Sequence, residues 1–192
     1  MGYLLLGLVV FVGVHSLRIV GEGPRTQLIQ QWGAMRFKGI YSLVSVAGFA
    51  LLVWGFGVAR ETPAVLWTPP VGMRHAASLL TLIAFILLAA AYVPGNSIKA
   101  RLHHPMVLGV KTWALAHLLA NGMLHQVVLF GVLLVWAVLS FRAARQRDRS
   151  GQVQYPAGTL LPTVITVGVG VAAWGVFAFW LHGMLIGIRP FG

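Results

Sequence analysis

A chain of 192 residues that is 58% hydrophobic and only 9% charged cannot cover a water-soluble globule, which carries roughly 25% charged residues. The net charge of +11 comes from 14 Lys and Arg against three acids, Glu22, Glu61 and Asp148; the basic residues sit between apolar runs, so they read as membrane topology signals and not as a nucleic-acid surface. With no cysteine, disulfides, thiolate ligands, iron–sulfur clusters and cysteine nucleophiles are excluded.

The apolar runs predict an all-α, polytopic transmembrane helix bundle of about six spans, with the lipid bilayer as its first partner. The first span, about residues 2–20, turns apolar at once and continues through His15 and Arg18 with no small-residue cleavage site, so it is expected to stay in the protein. A polar loop with Gly, Pro, Arg25, Arg36 and Lys38 leads to the second span, about 39–60. The Pro-rich stretch Pro63 to Pro70 holds Trp67 and reads as an interfacial loop. The third span, about 72–93, is closed by Pro94-Gly95-Asn96, a turn signal. After SIKARLHH, Pro105 stands where the first helical position has no N–H to lose, and the short fourth span runs over about 105–121. The fifth covers about 125–144, where RAARQRDRSG breaks the apolar pattern, and the sixth about 159–188, with a kink expected at Pro162. Gly168, Gly170 and Gly175 are the densest group of glycines and read as a helix-packing face. An outside N-terminus puts ten basic residues between Arg18 and Arg149 on the cytoplasmic side (Lys111 left aside), against Arg60, Arg74 and Arg189 outside. Both termini are therefore expected outside the cytoplasm.

Ionisable groups at membrane depth need a reason, because Lys or Arg at a helix centre costs roughly 2.5–3.5 kcal/mol on insertion scales. Four stand out: His15, Lys111, His117 and, nearer a helix end, His182. For a lone histidine the bland alternative is a helix-to-helix hydrogen bond. Two imidazoles in different spans, with no intramembrane carboxylate, point instead to a bis-histidine cofactor site at His15 and His117. Straight, centred helices put the two roughly 12 Å apart in depth, which tilt would have to reduce. Trp113, His117 and Asn121 recur at i, i+4 and i+8 as one stripe. Phe11, His15 and Arg18 share a face, and Arg18 is placed either to meet a propionate or simply to anchor the span. Lys111 has the same anchoring alternative. His104, before Pro105, sits at a helix N-terminus, where it serves a ligand or only a cap. His75 and His125 lie near span boundaries and read as surface residues. There is no G-x-S-x-G, H-E-x-x-H or P-loop, and no paired carboxylate for proton-driven transport.

GVHSLRIV at 13–20, RFKGIYSLVSVAGFALLVWGFG at 36–57 and AAYVPGNSIKARLHHPMVLGVKTWALAHLLANG at 90–122 resemble the NnrU family of bacterial membrane proteins. The resemblance covers roughly residues 1–149, a membrane unit of five spans, and leaves 150–192 as a loop plus a sixth span. It implies a place in the bacterial cytoplasmic membrane and association with nitrite and nitric oxide reduction, with respiratory or nitrogen-oxide reductase components as partners. A distant branch is the 15-cis-zeta-carotene isomerase of plants and cyanobacteria, which holds haem b through two histidines. Its H-S element resembles His15-Ser16, its A-H-T-L-W element resembles Ala116-His117-Leu118-Leu119, and an H-P element matches His104-Pro105. The branch carries a cysteine three residues before its second histidine, where this chain has Ala114.

The expectation is thus a haem b protein with His15 and His117 as metal ligands and Trp113, Asn121, Arg18 and His104 around the cofactor. It would serve nitrogen-oxide respiration by electron transfer, sensing or assembly. A haem-dependent carotenoid isomerase is the enzymatic alternative, and a cofactor-free membrane scaffold or small-molecule permease the third.

Overall fold

The apolar runs fold as helices because backbone polar groups facing lipid have no partners but each other. A computed structural model describes residues 1–191. Its helices are α1 (Gly2–His15), α2 (Leu17–Val20), α3 (Glu22–Trp32), α4 (Ala34–Arg60), α5 (Gly72–Tyr92), α6 (Ser97–Leu102), α7 (Pro105–Ala120), α8 (Leu124–Ser150), α9 (Leu160–Val176) and α10 (His182–Ile186), with a π-helical turn at Phe177–Leu181 joining the last two. Among the described residues the only bridges are two isolated ones, Val65 with Met123 and Asn96 with Thr159. Four helical stretches are long and apolar enough to cross a membrane: α4, α5, α8 and the continuous Leu160–Ile186; α1 and α7 are apolar but shorter.

Several sequence expectations shift. The loop after the first span contains α3, and α4 begins at Ala34. The first span breaks at Ser16, whose hydroxyl donates to the Val12 carbonyl at 2.7 Å. α8 runs to Ser150, straight through RAARQRDRSG, because a change in polarity does not by itself stop a helix. Pro162 sits in the first turn of α9, before any intrahelical bond would be lost, and the irregularity comes later, at Phe177–Leu181.

The helices pack in the sequence of neighbours α4–α1–α8–α7–α5–α9. Small residues make the tightest seams. A Cβ on Gly55 would lie 2.8 Å from Leu4 Cα, and one on Gly48 would lie 2.9 Å from Phe11 N, so α1 lies almost backbone to backbone on α4. Of the three glycines expected to pack in the sixth span, Gly170 does so against Ile86, while Gly168 and Gly175 face open space. Leu4, Leu8, Leu52, Ala59, Leu129 and Phe130 form the buried apolar cluster where α1, α4 and α8 meet. Outward-facing Val9, Leu43, Val46, Leu79, Val135 and Val164 are exposed, as lipid contact requires. The first and last helices in the row, α4 and α9, do not pack on each other, so the row curls into an open ring with a cavity along its gap.

The two ends of the bundle differ. At one, Ala64 to Trp67 pairs with Gly122 to Leu124, and the Arg60 guanidinium donates to the Ile186 carbonyl at 2.9 Å. At the other, buried Asn96 caps α6 by accepting from Lys99 N at 2.7 Å, and Ser97 N donates to Thr163 Oγ1 at 2.9 Å.

Candidate functional site

The gap in the ring is a cavity of about 600 Å³, large enough for a cofactor-sized molecule. Its walls are apolar and aromatic: Phe49 and Phe56 from α4, Phe85 from α5, Trp113 from α7, Phe130 from α8 and Trp174 from α9. Its polar groups are few: Arg74, His117, Asn121, Gln126, His182 and Arg189, with the hydroxyls of Ser78 and Thr81. Arg74 and Arg189 supply its positive charge, and among the described residues no carboxylate lines it. Trp174 Nε1 donates to Thr81 Oγ1 at 3.1 Å and ties α9 to α5 within the wall.

His117 is held from two sides. Its Nδ1 lies 2.8 Å from the Trp113 carbonyl, and its ring stacks on Phe130 at a centroid distance of 4.5 Å. A carbonyl can only accept, so Nδ1 carries the proton, and in the neutral ring Nε2 keeps a free lone pair, the form that ligates a metal. His182 is arranged alike, with Nδ1 2.6 Å from the Ile188 carbonyl. Asn121 donates to the His117 carbonyl at 2.8 Å and so braces the α7 backbone; it does not hydrogen-bond the imidazole. The stripe Trp113, His117, Asn121 therefore lines one cavity together.

His15 and Arg18 lie elsewhere, on a second cavity of about 330 Å³ between α1, α2, α3 and α4. His15 Nδ1 meets the Phe11 carbonyl at 2.7 Å, and the ring stands edge-on to Tyr41 and Trp136. The Trp136 indole N–H is buried without a partner. Arg18 pairs with Glu22 at 3.2 Å. The two imidazoles meet α8 at different levels, His117 at Phe130 and His15 at Trp136; six residues of helix separate those levels by about 9 Å. His15 and His117 thus line different cavities, and the pair expected from the sequence is not brought together. His117 and His182 share one cavity with Arg74 and Arg189, a donor set of the chemical kind that a haem and its carboxylates would need.

His104 belongs to a third place, at the end of the bundle where α7 begins. Its Nε2 lies 2.8 Å from Asp148 Oδ2, which also accepts from the Tyr155 hydroxyl at 3.2 Å. His103 stacks on Tyr155 at 4.1 Å and pairs with Arg145, with its own backbone at φ 69°. Asp148, beyond the apolar part of α8, is pulled two ways. Burial pushes its carboxyl up, but hydrogen bonds from His104, Tyr155 and His103 prevail and hold it below the usual carboxylate range. The Tyr155 hydroxyl is pushed up by burial and by Asp148 beside it.

Lys111 lies with its ammonium 5.6 Å from the Phe141 ring centroid. His125, which reads as a surface residue in the sequence, is only 4% exposed and packs on Phe56. Arg74 and Arg189 were legible only as outer-side charges, and their convergence has no one-dimensional signal. Ala114 is fully buried and lies off the cavity. Among the described residues, no three His, Asp or Glu gather as a bare-metal site.

A family model described as NnrU protein matches residues 3–190, so the match continues past residue 149 and through α9 and α10. No curated protein and no solved structure matches the chain.

Proposed function

The chain belongs to the NnrU family, and from that premise we propose that this membrane protein holds haem b in its large cavity, where His117 and His182 would ligate the iron. The observation that carries this reading is that both imidazoles line one aromatic cavity with their Nδ1 atoms committed to backbone carbonyls. Arg74 and Arg189, on the same cavity, are suited to pair with the propionates. Haem held by two imidazoles supplies one-electron redox chemistry. The chain's own part is to fix the tautomer at His117, to stack Phe130 against that ring and to keep water from the iron with apolar walls. Ala114, off the cavity and without a thiol, gives no support to ligand exchange of the isomerase kind.

The same proposal places the chain in a bacterial cytoplasmic membrane, serving nitrogen-oxide respiration by electron transfer or sensing. All six apolar helical stretches cross, the two shorter ones included. The end bearing Arg18, Lys99, Arg101, Arg145 and Arg147 faces the cytoplasm, as excess positive charge favours.

The test is the visible absorption spectrum of the full chain, expressed with ample haem and purified in detergent. A Soret band is expected in the wild type and in His15→Ala, and it should be lost or strongly shifted in His117→Ala and altered in His182→Ala. A wild-type protein without the band, or a His117→Ala spectrum like the wild type, overturns the proposal.

A further inference from the structure

The smaller cavity has a charge problem that the haem reading does not touch. Among the described residues no carboxylate lines it, and Glu22 beside it is shared by three guanidiniums: Arg18 at 3.2 Å and Arg25 at 3.7 Å, both on the cavity, and Arg147 at 3.5 Å. One negative charge answers one of the three, and Lys38 on the cavity wall adds another positive charge. The other acids are committed elsewhere. Glu61 follows α4 at its far end, and Asp148 is bonded to His104 and Tyr155. Like charges gathered this closely repel one another, and an anion in their midst relieves the repulsion.

The floor of the same cavity is apolar: Val14, Leu17 and Phe37. The Arg25 guanidinium lies 5.9 Å from the centroid of the Phe37 ring on the same cavity. Tyr41 and Ser42 add hydroxyls. We infer that this cavity is a binding site for a phosphate-type oxyanion, held by Arg18, Arg25 and Lys38. A basic rim over a hydrocarbon floor, beside helices with exposed apolar faces, matches the headgroup of an anionic phospholipid; a free phosphate offers the same oxygens.

The experiment uses the full chain in a neutral detergent and phosphate-free buffer. Binding of phosphatidylglycerol and of phosphatidylcholine is measured by native mass spectrometry. In a separate arm, melting is followed in inorganic phosphate against chloride at equal ionic strength. The double variant Arg25→Gln/Lys38→Gln is compared with Arg142→Gln/Arg149→Gln, which removes the same charge from the same end of the bundle. Each basic residue near a headgroup is worth about fivefold in affinity, so the first pair should weaken phosphatidylglycerol binding about 25-fold and the second pair little. A preference for phosphatidylglycerol without a phosphate effect assigns the site to lipid. A phosphate effect lost in the first pair assigns it to the free anion. Equal binding of both lipids with no phosphate effect overturns the inference, as does equal weakening by both pairs. If Arg25→Gln/Lys38→Gln loses helical content, Lys38→Gln alone, an exposed position on α4, carries the comparison.

Discussion

Asp148 shows how much one side chain can hold together in a chain with only three acids. Its carboxylate receives His104 from α7 and Tyr155 from the loop after α8, and it is 13% exposed. Because it ionises more readily in the folded chain than in the unfolded one, its contribution is complete above the unfolded value of about 3.9. It is lost as pH falls through the lower folded value. The melting temperature in detergent is therefore expected to drop below about pH 4, and Asp148→Asn should flatten that dependence. At neutral pH the same substitution should cost on the order of 1–3 kcal/mol, as charged hydrogen bonds do. Nothing in the residue string foretold this cluster, since its members lie 44 positions apart. The histidines at membrane depth, by contrast, were visible at once, because polarity in an apolar run is a one-dimensional signal. Their pairing was not: both His15 and His117 bond the carbonyl four residues earlier, but which rings share a cavity depends on helix neighbours that spacing does not encode.

Among the elements, the seam between α1 and α4 rests on glycine. The sequence marked its densest glycines at Gly168, Gly170 and Gly175, of which only Gly170 is in contact, while Gly7, Gly48 and Gly55 let α1 and α4 meet backbone to backbone. The difference arises because a glycine matters where a second backbone arrives, and its own helix does not tell which face that is. Gly55→Ala places a methyl group against the Leu4 backbone. It is expected to destabilise the protein by about 1–3 kcal/mol, read as a lower melting temperature. Gly57→Ala and Gly175→Ala point into open space and should leave melting unchanged or slightly raised. Element ends were less legible than element centres. α8 keeps its helix through four arginines because Arg and Gln are good helix formers whatever their polarity. The polar α3 was hidden for the same reason, since hydropathy reports solvent and not backbone shape.

At the scale of the whole molecule, composition was enough to give helices and lipid, and the charge distribution matches the two ends of the bundle. Arg147 donates to the Arg18 carbonyl at one end, while Arg74 and Arg189 line one cavity with Gln126 toward the other. The chain contains no cysteine, so single cysteines report sidedness without background. In intact spheroplasts, Thr62→Cys should react with a membrane-impermeant maleimide and Gln146→Cys should not, the second reacting only after lysis. The reverse pattern would invert the proposed orientation. What the sequence could not convey is the order of neighbours around the ring, and with it the gap that makes the large cavity.

That cavity has one wall unlike the others. Gly187, at φ 76°, turns the chain back so that Ile188 to Phe191 fold over the aromatic interior. This flap is fastened by the Arg60 contact to Ile186, the His182 contact to Ile188 and the stacking of Phe191 on Phe179. Phe191 also meets Trp174 edge-on at 5.9 Å, so the flap is tied to α9 as well. On the haem reading proposed above, His182 would both fasten this flap and ligate the guest, so that entry and anchoring would draw on one side chain.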